Sequence, residues 1–498
     1  MTPNTYGMHR ILKTVGIATM LSSTLLVGCK ADEVLNANQP SQVAIDADVR
    51  SATQIRASGA LALQRANMAG FISNVGILGR ESLNYTGTEA RNTTEFLQSQ
   101  ALGNVSFLAG GQWATRYRSM LGLRDLALLA DQESGNNLTP AERSAVKGFA
   151  NTLWALDMYY VIATRDSLGA PTELVAARDS AAPFVSRDSV YRFILGKLNE
   201  GQTQLQAGGG AFPFALTPGF AGFNTPSTFL QFNRALFARV SVINGTIKGG
   251  GAAGAADFQA ALTALGQSFL NTAGDLNTGV YYVFSTASGD VLNGVSPVTS
   301  PDQLGHPSLE ADAATETRAG GAPDLRYAGK VRKLTTPRTA PQSAGISTAL
   351  QYTIYPTNTS PIPIIRNEEL ILLRAEANIG LGNLQAAIDD INVIRTRSGG
   401  LAPTSLTPAS GANALITEVL RQRRLSLLFE GHRWIDVRRY NRVNTLPRDL
   451  ANHIYVTAFP VPQAECDARV NIINRLGASA NSPYTGLAAP SCPAITLR

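Results

Sequence analysis

Residues 427–440 read LLFEGHRWIDVRRY and crowd Glu430, His432, Arg433, Trp434 and Asp436 into one short run. Three kinds of chemistry could use such residues. His432 and Asp436 stand four apart, so on a helix they would share a face and could reach one metal ion. The chain has four histidines, at 9, 306, 432 and 453. His306 and His453 fall in dissimilar loop contexts without ligand spacing, so no metal site is expected. Glu430 and Asp436 could instead be the carboxylate pair of a glycosidase, one acid protonated and one ionised. Both lie among Arg423, Arg424, Arg433, Arg438 and Arg439. Guanidinium neighbours hold a carboxyl ionised, which suits an ion pair and spoils a general acid. The expected role is therefore structural: Arg423, Arg433 and Arg439 pair with Glu430 and Asp436 to pin helix ends. Neither a catalytic residue nor a cofactor is expected.

Ligand capture needs other residue types. A sugar ring offers polarised C–H patches that stack on aromatic faces, and hydroxyls that bond Asn, Asp, Arg and Gln. Two stretches combine such groups on segments that read as loops, where binding residues concentrate. NYTGTEARN (84–92) carries Tyr85 and Arg91, with Trp113 and Tyr117 following after a gap. A second stretch carries Tyr281, Tyr282, Asp290, Arg326 and Tyr327.

Helices must carry these loops. AERSAVKGFANTLWALDMYYVIA (141–163) keeps apolar residues at helical spacing for several turns, with Pro140 placed to open it. VSRDSVYRFILGKLNEGQTQL (185–205) follows with Ser186 as N-cap, then FLQFNRALFARVSVI (229–243) and DFQAALTALGQSFL (257–270). From 271 to about 361 the pattern dissolves into Gly, Ser, Thr and Pro with β-prone pieces such as VYYVFS (280–285). A loop-rich stretch of that length inside a compact domain is usually functional or poorly ordered. In 367–400, Asn367 is placed to cap a helix, Gly382 to end it, and a second helix to run from about Leu384 to Arg397. Ala375, Gly382 and Ala387 stand where two close helices of a tetratricopeptide-like hairpin need small residues. A third helix is expected over roughly 413–430. The expected fold is mainly α: a tetratricopeptide-like helical-hairpin scaffold with a loop-rich, partly irregular ligand-binding region. Its expected parts are 46–270, the 271–361 insert and 362–498.

At the start, His9, Arg10 and Lys13 precede a short apolar run from Val15 to Gly28, which reads as a secretory signal. Leu26-Val27-Gly28-Cys29 resembles a bacterial lipobox, so residues 1–28 are expected to be cleaved and Cys29 lipidated, with 29–45 as linker. Two or more acyl chains anchor a protein stably to a bilayer. Lys30-Ala31-Asp32-Glu33 resembles a surface-export tag. A formal net charge of +6 over 498 residues makes no case for nucleic acid. Cys466 and Cys492 remain, and an exported protein could pair them for about 3 kcal/mol, or keep two buried thiols.

The order RNEELILLRAEANIGLGN, AAIDDINVIRTRSG and VLRQRRLSLLFEGHRWIDVRRY resembles the C-terminal half of the SusD/RagB family. GAPTEL (169–174) and FPVPQAE (459–465) resemble two further family turns. The resemblance implies a non-enzymatic lipoprotein on the outer-membrane surface. Such a protein captures glycan, or alternatively peptide, for a SusC-like TonB-dependent transporter. The family usually has Glu where Gln422 and Ser426 stand, so two scaffold ion-pair partners are missing. A secreted hydrolase using Glu430 and Asp436, and a scaffold that binds only protein, are the competing readings.

Overall fold

In the computed structural model, residues 48–98, 102–104, 107–132, 137–175, 181–339 and 345–475 are described. Cys29, the 29–45 linker and Cys492 lie outside them. Contacts set residues 53–498 apart as one unit, to which the following refers.

The helices are α1 Val49–Ala66, α2 Met68–Leu78, α3 Arg91–Thr94, α4 Phe107–Gln132, α5 Pro140–Arg165, α6 Arg187–Gln206, α7 Pro226–Ile247 and α8 Gly251–Gly266. They continue as α9 Ser308–Ala313, α10 Leu325–Lys330, α11 Asn367–Gly380, α12 Leu384–Val393, α13 Gly411–Ser426, α14 Arg433–Arg439 and α15 Gln463–Arg475. The chain is mainly helical. From α4 to α8 each helix packs on the next; α8 then meets α11, which holds α12 and α13.

Local signals explain the ends. Pro140 opens α5 behind a Thr139–Glu142 capping box, which satisfies two otherwise orphaned N–H groups. Ser186 accepts from the Ser189 N–H at 3.3 Å and starts α6. Asn367 departs from expectation: it does not cap α11. Its amide donates to the carbonyls of Asn271 and Asp275 at 2.7 and 3.0 Å, tying the loop before it to the helix start. Gly382, at φ +79°, takes the left-handed conformation that closes α11. Gly382 itself has no close neighbour, while Gly380 makes a further close helix contact, where any Cβ would overlap the Phe258 ring of α8. The second helix of the hairpin ends as α-helix at Val393, and Ile394–Ser398 continue it as one wider π turn. α13 stops at Ser426 rather than 430, because Phe429 and Gly431 take positive φ (+56° and +89°) and turn the chain into α14.

Three two-stranded antiparallel ladders supply the remaining order: β1 Ser82–Asn84 with β3 Gln303–Gly305, β2 Gly279–Tyr282 with β6 Ile362–Arg366, and β4 Val331–Thr339 with β5 Ser347–Tyr352. The 280–285 piece thus pairs, with a bulge between Val280 and Tyr281. One large apolar core runs through the helices and under the ladders. A second, built on Ile371, Ala375, Ala387, Ile391, Leu415 and Val419, fills the α11–α12–α13 hairpins.

Candidate functional site

The opening stretch sits in a buried ion network. Asp436, 5% exposed, accepts from Arg423 at 2.7 Å and from Arg439 at 2.8 Å. Arg439 also meets Glu376 of α11 at 2.6 Å, Arg423 reaches the same carboxylate at 3.3 Å, and the Tyr440 hydroxyl donates to it at 2.6 Å. Glu430 takes its partners from elsewhere than expected: Arg366 at the end of β6 at 2.9 Å, and Lys330 of α10 at 3.7 Å. Arg433 is partly buried, and its Nε has no hydrogen-bond partner. His432 lies 3.9 Å from Glu369, which Arg239 already holds at 2.6 Å. Trp434 is fully buried and donates to the Val456 carbonyl at 2.8 Å. Where the family has Glu, Gln422 donates to Glu418 at 2.7 Å and Ser426 accepts from Arg326 at 3.0 Å.

Burial pushes the Asp436 carboxyl up, but Arg423 and Arg439 outweigh it and hold it at about 2. Burial likewise opposes Arg366 and Lys330 at Glu368, and the cations win, again at about 2. Burial lowers His432 below its ordinary 6.5. All three folded values lie below the unfolded ones. Their stabilisation is present above the unfolded pKa values and is lost as pH falls through the folded ones. Urea midpoints should therefore fall below about pH 6.5 as His432 protonates in the unfolded chain, and more steeply between about pH 4 and 2. A midpoint constant from pH 7 to 3 would contradict this balance.

The expected ligand residues separate into buried and surface groups. Tyr85 and Tyr282 are 2% and 4% exposed and turn inward, leaving no ring face for a ligand. Arg91 is bound to Glu89 at 2.6 Å, and Asp290 to Arg65. Arg326 is buried against Asp324 and lines a polar cleft of about 450 Å³ together with Asn277, Lys330, Arg366 and Arg397. Tyr281 donates to the Asn277 carbonyl at its edge. Tyr327 is half-buried, its hydroxyl without a hydrogen-bond partner.

Trp113 opens on a second cleft. α4 contributes Trp113, Tyr117 and Leu121; the 171–175 loop adds Pro171, Leu174 and Val175 to a groove of about 500 Å³. Its far side is Pro462, Glu465 and Arg469 of the 459–465 turn and α15. The Tyr117 hydroxyl donates to the Pro171 carbonyl at 2.7 Å and fixes the loop on α4. Trp113 stacks on Phe184 (5.8 Å, 15°), and the Arg165 guanidinium lies 5.7 Å from its ring, so its faces are already covered. Leu121 and Val175, at 37% and 40% exposed, present more open apolar surface. This groove unites two sequence-distant turns, GAPTEL and FPVPQAE.

Residues 332–477 match the model of the SusD family. Over that segment the chain is similar to the SusD family. Solved structures of similar fold extend the likeness over most of its length. A SusD superfamily protein from Bacteroides vulgatus is 14% identical, with 86% of this chain and 97% of the other covered at a TM-score of 0.61. NanU of B. fragilis is 16% identical over 89% and 99%, TM-score 0.59. A laminarin binding SusD-like protein is 15% identical over 84% and 97%, TM-score 0.55. At such identities these structures establish fold. No curated protein sequence matches the chain.

The fold also holds contacts that sequence spacing did not reveal. His306 and His453, 0% exposed, converge on Asp449, at 3.0 Å through Nε2 and 3.6 Å through Nδ1. His306 Nδ1 accepts the Ser308 N–H at 3.1 Å, which leaves Nε2 to donate to Asp449. No group of three potential ligands that could hold a metal ion occurs among the described residues. Cys466 is disulfide-bonded. No helix among the described residues is long and apolar enough to cross a membrane.

Proposed function

We propose that the protein is a lipid-anchored, outer-membrane binding protein that captures glycans at the cell surface and passes them to a SusC-like TonB-dependent transporter. The observation that carries this reading is the SusD-family match at 332–477 on a fold shared with a laminarin binding protein over most of both chains. Cys29 supplies the anchor, and the helical hairpins hold the ligand-binding loops rigid. The reading is of a binding protein rather than an enzyme: the acids best placed by sequence, Glu430 and Asp436, are ion-paired and nearly buried, and Arg423 and Arg439 hold the Asp436 carboxyl well down, which suits a structural ion pair.

The ligand face is the groove along Trp113 and Tyr117. Peptide is the second reading, favoured by the apolar walls at Leu121, Leu174 and Val175. Titration of the chain with laminarin-type and other oligosaccharides, beside a peptide panel, tests the proposal. Leu121→Asp puts a charge on an exposed wall, so it should weaken the bound ligand about tenfold or more while the melting temperature stays put. Copurification with a large outer-membrane barrel tests delivery. A chain that binds no glycan, or a Leu121→Asp variant that binds as the parent does, would overturn the reading or its site respectively.

A further inference from the structure

A pocket of about 340 Å³ beside α13 holds more positive charge than its carboxylates balance. Arg421 and Arg424 of α13, Arg433 of α14 and Arg442 line it, and Asp312 of α9 is the one acid in its lining. Arg421 is paired with Glu316 at 2.5 Å, and Arg424 with Asp312. Among the described residues Arg433 and Arg442 make no ion pair. Arg442 donates to the Thr417 hydroxyl at 2.8 Å and to Asn413 at 2.5 Å, both neutral. The Nε groups of Arg424 and Arg433 are buried without hydrogen-bond partners. Burial, and then Arg433 facing it, push the Arg424 guanidinium well down, as expected of like charges held close together. The carboxyl on their inner side, Glu81, is raised by burial to about 7, so it neutralises them only in part at neutral pH. Arg433 is thus only partly compensated, and Arg442 has neutral partners alone.

Arginine forks suit planar and tetrahedral oxyanions, which they can grip with two parallel bonds. The pocket's volume lies near the lower end of the roughly 300–1,000 Å³ of small-molecule sites, more than a bare ion needs. Leu420, Leu425 and Val437 give it an apolar wall beside the Thr417 and Thr445 hydroxyls. We propose that this pocket binds the acidic group of a charged sugar: a carboxylate, sulfate or phosphate carried on one or two rings. The site deepens the glycan reading and rests on it for the sugar alone; it shares no lining residue with the Trp113 groove.

The test is titration of the full chain with glucuronate, glucose 6-phosphate, glucose and inorganic sulfate at fixed ionic strength. The acidic sugars should bind saturably, glucose should not, and inorganic sulfate should bind more weakly than either acid. Asp312→Asn removes the competing carboxylate and should tighten the acidic sugars about fivefold. Arg442→Gln should weaken them about tenfold. Both side chains are at least partly exposed, so melting temperatures should stay close to that of the parent. Equal binding of glucose and glucuronate would overturn the proposal, as would variants that bind acidic sugars like the parent. Sulfate as tight as the sugar acids would also overturn it, leaving a bare-anion site. Failure of the neutral-glycan panel, with Asp312→Asn still tightening glucuronate, would count against the groove and for this pocket.

Discussion

Asp436→Ala is expected to lower unfolding free energy by about 3–5 kcal/mol, read as a shift in the urea midpoint at unchanged slope. The carboxylate separates Arg423 from Arg439, each nearly fully buried. Without it, Glu376 alone would face both guanidiniums across 3.3 and 2.6 Å. Two buried cations would then share one counter-charge, and neither could reach water. Asp436→Asn keeps the shape and part of the hydrogen bonding, so it should lose less than alanine. Full stability in the alanine variant, combined with loss of a hydrolytic activity present in the parent, would return the segment to the glycosidase reading.

Trp113→Ala is the second large effect, again about 3–5 kcal/mol, because truncating a packed aromatic leaves both a cavity and lost transfer energy. From sequence alone Trp113 is a candidate stacking platform, and its removal should then weaken binding with the fold intact. The structure changes that expectation. The indole is 7% exposed, lies parallel to Phe184, tilts on Tyr117 at 4.8 Å and sits near the Arg165 guanidinium. Alanine there should lower the melting temperature and the groove's affinity together. A melting temperature within a degree or two of the parent would show the ring to be far less packed than its 7% exposure implies.

The sequence was most legible where physics is local. Helical periodicity and the Pro140 and Ser186 signals placed α5 and α6 to within a few residues, because a helix start needs only its own first turn. The resemblance reached the scaffold through motifs such as FEGHRW. Contacts that close through space were not legible. Glu430 finds Arg366 and Lys330, residues 64 and 100 positions back, rather than the arginines beside it. His306 and His453 share no spacing, yet one aspartate joins them. Aromatic residues proved the hardest. Tyr85 and Tyr282 have the composition of a binding loop, but burial depends on which face of a short strand or turn points inward. Asn367 shows the same limit at a helix start, where the N-cap signal is outbid by two loop carbonyls.

The ladders have a consequence for how such a chain can change its length. β1–β3 and β2–β6 each join a strand inside the 271–361 stretch to a strand outside it. That stretch is therefore not a cassette that evolution or an engineer can lift out. Excising it would strip the partner from β1, and from β6 just where α11 begins, and leave unpaired backbone edges against the core. Length variation is confined to places the ladders do not cross, such as the exposed turn at 286–289. New specificities are thus more readily acquired by lengthening such tips than by exchanging the whole region.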